Sequence, residues 1–337
     1  MASAMNPYLF IVGCARSGTT LLQRMINAHG QVAITPESPW ICRLSKPSTG
    51  LTSEGVVTPE LIPLLLKDLN PRFARLNIGG EELLRLLARD RPVHYASFVS
   101  GIFDLYGKAK GKALVGNKTP GFVRKIQTLQ RLWPEARIVH LIRDGRDVCL
   151  SMINRPLNDV NRGPLCTWAQ DSVTTAALWW EWSVKLGRQA GNSLGSELYH
   201  EMRYESLVAQ PANECAALCT FLGVPYQEAM LRFHEGPKKA ASPSDARHAW
   251  LPSKENESEF RLRPITAGLR DWRSQMSHED VERFEAAAGG LLDELGYPRA
   301  FPRLPPKRLE DASRIRQSFA LNARRTMAER MKWEASP

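Results

Sequence analysis

The sequence predicts an α/β fold, three αβα layers around a central parallel sheet with helical inserts, and three observations carry it. Residues 8–20, YLFIVGCARSGTT, run from an apolar strand through a glycine turn into a helix with Leu21, Leu22, Met25 and Ile26 on one side. Residues 137–142, RIVHLI, form a second short apolar strand of the kind buried on both faces of a parallel sheet, again followed by a polar turn and a helix. At 337 residues and 43% hydrophobic content, the chain is long enough for one such domain with insertions.

The elements follow in order. Strand one (8–12) and its helix lead to a second strand over 32–34. Residues 44–110 form a long, mostly helical insert, clearest at LIPLLL and EELLRLLARD, and such inserts often supply acceptor walls. Residues 119–132 are expected as a helix feeding the 137–142 strand. A further helix covers 167–190, where Trp168, Trp179, Trp180 and Trp182 offer either a sugar platform or core; the helical spacing of Ala176, Trp179 and Trp180 favours core. Residues 236–262 are polar and proline-containing, a mobile loop expected to close over a bound donor. A helix covers 278–296. The domain therefore spans 1–300, and 301–337 is a basic helical extension with nine Lys/Arg against four Asp/Glu. Its stripe of Ile315, Phe319, Ala323, Met327 and Met331 reads as packing on the domain or a dimer contact, with a basic membrane-surface helix as the alternative.

The first motif is a phosphate cradle. Gly13 and Gly18 allow a tight turn in which backbone N–H groups converge on one anion at a helix N-terminus. A nucleoside-triphosphate loop wants Lys after the second glycine; this chain has Thr19, and its cation comes earlier, at Arg16. That suits a phosphate that is held rather than transferred. In the second motif, LIRDGRDVCLS, Arg143 stands at a strand end, Ser151 eight residues on and Arg155 twelve, so the three can meet on another phosphate. The residues alone equally allow a solvated cluster in which Arg143 and Arg146 pair with Asp144 and Asp147.

CARSGTTLL, NKTP (117–120), LIRDGRDVCLS and RYESLVAQPANECAALCTFLGVPY together resemble sulfotransferases of P-loop fold that use 3′-phosphoadenosine 5′-phosphosulfate, in particular the tyrosylprotein and carbohydrate enzymes. The resemblance covers roughly 8–155 and 195–298. It implies that Arg16, Ser17, Gly18, Thr19 and Thr20 hold the 5′-phosphosulfate, that Arg143, Ser151 and Arg155 hold the 3′-phosphate, and that Tyr204 and Arg263 contact the nucleotide. It further implies Lys118 and Arg16 as stabilisers of the leaving phosphate and Glu37, 21 residues after Arg16, as general base. His94 is the alternative base. Sulfuryl transfer proceeds through a loose in-line transition state, where positioning and charge carry the work. The transferred group has one negative charge, so no metal is expected.

The residues after Glu37 are Ser38, Pro39, Trp40 and Ile41, with Arg43 the nearby cation, which fits a sugar, glycolipid or small hydroxylated metabolite better than an acidic tyrosyl peptide. A net charge of +10 fits an anionic donor. Nucleic acid is not an expected partner, because aromatic and basic residues are not interleaved. Six cysteines without CxxC spacing, no signal-like segment and no long apolar run lead to the expectation of a soluble cytoplasmic enzyme, unlike Golgi relatives with an N-terminal anchor. A P-loop kinase and a donor-binding protein without turnover are the competing readings.

Overall fold

A computed structural model describes residues 7–46, 50–66, 73–88, 91–154, 163–235 and 271–335. Five parallel strands form the sheet: β1 (Leu9–Gly13), β2 (Val32–Thr35), β3 (Leu114–Lys118), β4 (Arg137–Ile142) and β5 (Tyr199–Arg203), in the order β2-β3-β1-β4-β5. The chain lays β2 and β3 on one side of β1 and β4 and β5 on the other. The order thus reverses beside β1, and open α/β sheets bind ligands at the carboxyl ends of strands flanking such a reversal.

Alternation along the strands separates two cores. Phe10 and Val12 of β1 face one layer, Leu9 and Ile11 the other. The second layer holds helices α1 (Thr19–Ala28) and, later in the chain, a helix over Pro211–Leu222. The first holds α2 (Trp40–Arg43) and the 44–110 insert, whose helices are α3 (Leu61–Leu66), α4 (Gly80–Leu87) and α5 (Tyr95–Lys110). It also holds α6 (Ile126–Leu132), reached through a 3₁₀ turn at Pro120–Arg124. The helix expected over 119–132 is therefore split, and β3, which no periodicity announced, precedes it.

After β4 come α7 (Gly145–Asn154), α8 (Ser172–Leu194), α9 (Tyr204–Ala209) and α10 (Pro211–Leu222). They are followed by α11 (Trp272–Gln275), α12 (His278–Glu294) and α13 (Pro306–Ala335). A third core joins α7, α8 and α12, and Trp180 is fully buried there against Phe284, as the core reading required. Ile315, Phe319 and Ala323 of the α13 stripe pack in or against the same core. Ala312, Phe319 and Ala323 are buried, and Phe319 meets Trp182 edge-on at 6.1 Å. The domain thus covers that part of the stripe, and it is not offered to a membrane. Five of the six cysteines are buried and all are free; Cys166 is exposed.

His140, on β4, shows what a parallel core does to a titratable group. Burial holds its pKa down to about 3, and the Tyr199 hydroxyl lies 2.6 Å from Nδ1. An unfolded chain protonates this imidazole near pH 6.5, so between about 6.5 and 3 the unfolded state binds the extra proton and stability rises with pH. Moving from pH 7 to pH 5 should cost about 2 kcal/mol through this group alone. Urea midpoints measured across that range should fall with acidity, and His140→Asn should flatten the fall.

Candidate active site

The carboxyl ends of the strands gather the residues that the sequence singled out. The loop after β1 carries Arg16 in left-handed backbone geometry (φ 78°), and its Nε donates to Ser151 Oγ on α7 at 2.9 Å. One bond therefore joins the first motif to the second. Gly18 (φ 91°) opens α1, which has no side-chain cap, and a Cβ there would stand 2.4 Å from the Tyr204 ring. Glycine is required twice over, by conformation and by the close approach of Tyr204. Ser17 is buried, and its hydroxyl finds no partner among the described residues. A buried hydroxyl beside an uncapped helix N-terminus fits an anionic group.

Lys118 is the last residue of β3, not the surface lysine at a helix start that its local sequence allows, and is 5% exposed. Its Nζ donates to Thr20 Oγ1 at 3.2 Å and to Glu37 Oε1 at 2.8 Å. One ammonium thus spans the mouth of the cradle and the carboxylate. His94 takes no part in this cluster. It is exposed at the start of α5, where its backbone bridges Val56.

Arg143, just past β4, stacks on Tyr204 with its guanidinium carbon 4.3 Å from the ring centre. It also pairs with Asp147 at 2.9 Å. The pairings of the alternative reading do occur, but they are buried rather than solvated. Arg146 is fully buried between Asp144 and Glu285, each at 2.8 Å, with the Trp272 ring 3.7 Å from its guanidinium. The Trp272 backbone N–H donates to Asp147 Oδ1 and its indole N–H to Asp144 Oδ2. Burial pushes the Asp147 carboxyl up, and Arg143 and the Trp272 N–H pull it back. Sequence reasoning missed this frame. Arg146 and Trp272 fix the turn from which Arg143 projects, and the indole partner lies more than a hundred residues away.

Trp40 corrects another expectation. It is fully buried against Phe73, 5.5 Å between ring centres, and so is no wall for an acceptor. Ser38 and Ile41 are also buried, whereas Arg43 is exposed. Arg155, Arg263 and the 236–262 loop lie outside the described residues. Among the described residues no group of three His, Cys, Asp or Glu side chains is placed to hold a metal ion.

The model of the sulfotransferase family matches residues 7–228, well over half the chain. The chain belongs to the sulfotransferase family. This sulfotransferase is 26% identical over 324 residues to protein-tyrosine sulfotransferase 1 of Danio rerio, covering 93% of this chain and 79% of that protein. It is 25% identical over 317 residues to protein-tyrosine sulfotransferase 1 of Homo sapiens, covering 92% and 76%. Its fold matches the sulfotransferase domain from the curacin biosynthetic pathway, with a TM-score of 0.56 and 18% identity over 90% of this chain and 100% of that one. It also matches the sulfotransferase domain of the Synechococcus PCC 7002 olefin synthase, with a TM-score of 0.54 and 21% identity over 87% and 95%. The sulfotransferase fold brings together Arg16, Ser17, Gly18, Thr20, Glu37, Lys118, Arg143, Ser151 and Tyr204 at the carboxyl ends of the strands. Thr19 is a buried residue of the first turn of α1.

Proposed function

We propose that this sulfotransferase moves the sulfuryl group of 3′-phosphoadenosine 5′-phosphosulfate to an acceptor hydroxyl, with Glu37 as general base. The observation that carries the reading is the Lys118 ammonium, held between Thr20 and Glu37. A cation there neutralises charge growing on the leaving phosphate on the cradle side and pairs with the carboxylate on the acceptor side. Both are needed when a hydroxyl loses its proton as the phosphate gains charge. Residues 16–20 would hold the 5′-phosphosulfate, and Arg143 and Ser151 the 3′-phosphate. The planar Arg fork suits phosphate oxygens, and Tyr204 orients it.

For the acceptor, we favour a sugar, a glycolipid or a small hydroxylated metabolite. The segment after Glu37 turns into the core instead of presenting a row of cations to an acidic peptide. The names of the relatives make a tyrosyl peptide the second reading. The experiment is transfer from radiolabelled donor to a panel of neutral sugars, glycolipids, phenols and acidic tyrosyl peptides. Label on a neutral hydroxyl compound supports the first reading, and label only on the peptide replaces it with the second. A protein that binds donor yet labels nothing is a binding protein, and the catalytic reading falls.

A further inference from the structure

The segment that carries Glu37 has few backbone donors with which to hold itself in place. It runs from Thr35 at the end of β2 to Trp40 at the start of α2, and two of the four residues between, Pro36 and Pro39, have no backbone N–H. Gln23 of α1 donates to Thr35 O at 3.1 Å, and the remaining outside tethers come from the end of β3, on either side of Lys118. Asn117 Nδ2 donates to Thr35 Oγ1 at 2.8 Å and to Pro36 O at 3.0 Å. Thr35 Oγ1 donates in turn to Gly116 O at 3.0 Å. On the other side of Glu37, the Ser38 backbone N–H donates to Thr119 Oγ1 at 2.8 Å, and Ser38 Oγ donates to Pro36 O at 2.9 Å. Thr35, Ser38, Asn117 and Thr119 are all buried, so the bonds among them and to Gly116 O are costly to leave unmade.

We propose that Asn117 and Thr119 are positioning residues for the general base, fixing the peptide units before and after Glu37 so that its carboxylate meets Lys118 and the acceptor hydroxyl. The inference rests on the reading of Glu37 as base. Three consecutive residues at the end of β3 and just past it, Asn117, Lys118 and Thr119, then share one task. The outer two set the backbone that bears the carboxylate, and the middle one supplies the cation. A displacement of about 1 Å in a reacting group can cost on the order of a hundredfold in rate, so loss of one tether should be visible in turnover.

The test compares Thr119→Val, which keeps the shape and removes the acceptor oxygen, with Thr119→Ser, which restores it. Asn117→Ala is the second probe, should the valine variant fold poorly. Binding of 3′-phosphoadenosine 5′-phosphate reports an intact cradle in each. The expected result is a kcat about tenfold lower in Thr119→Val and Asn117→Ala, recovery in Thr119→Ser, and unchanged nucleotide affinity. The loss should vanish when the same substitutions are made in Glu37→Gln, because a residue acting through Glu37 has nothing left to position. Turnover within twofold of wild type, or an equal loss in the Glu37→Gln background, overturns the assignment. Wild-type turnover in Glu37→Gln alone removes the base reading itself and, with it, this inference.

Discussion

Glu37→Gln is expected to lower turnover by about a hundredfold or more while leaving nucleotide affinity unchanged. The substitution keeps the size of the side chain and an oxygen that can accept from Lys118, so the 2.8 Å contact can persist without the charge. What is lost is the ability to take a proton from the attacking hydroxyl. The cradle side of Lys118, its bond to Thr20 at 3.2 Å, is untouched, which is why binding should not move. A loss confined to kcat marks a group that acts in the transition state; a rise in KM alone would mark a binding residue instead. His94, exposed at the start of α5, should tolerate replacement.

Arg146→Met should destabilise the fold by about 3–5 kcal/mol, because it strands two carboxylates in a water-free core. Asp144 and Glu285 both depend on this guanidinium, and Glu285 further accepts from the backbone N–H groups of Ala300 and Phe301. The same network receives the Trp272 indole, so its failure would loosen the turn below Arg143 as well. Gly145, within that turn, leaves no room for adjustment, since a Cβ there would stand 2.5 Å from Trp180 and Phe284. Denaturant unfolding measures the effect. A change under about 1 kcal/mol would mean that water reaches the carboxylates and that the network is not the frame described here.

The glycine cradle, the 137–142 strand and their order were legible because each is local: an apolar run, a turn residue and a helix start. Arg143 was legible from its place at a strand end, Glu37, Lys118 and Tyr204 through family resemblance, and the carboxyl ends of the strands gather them. β3 was not legible. LVGNK has two large apolar residues, a glycine and two polar ones, and its strand character comes from pairing with β1 and β2 on both sides. The Arg-Asp turn read equally as solvent-exposed, because what buries it, Glu285 and Trp272, is brought in only by tertiary folding. Trp40 misled for the converse reason. An aromatic residue three places from a candidate base looks the same in sequence whether it lines a site or fills a core.

The most direct test of the account is calorimetric titration with 3′-phosphoadenosine 5′-phosphate, set against AMP and ATP with Mg²⁺, in the wild type and in Arg143→Ala. The expected result is tight binding of the 3′-phosphorylated nucleotide, much weaker binding of the other two, and loss of that preference in Arg143→Ala. Equal affinity for AMP, or a preference for ATP with Mg²⁺, would contradict it.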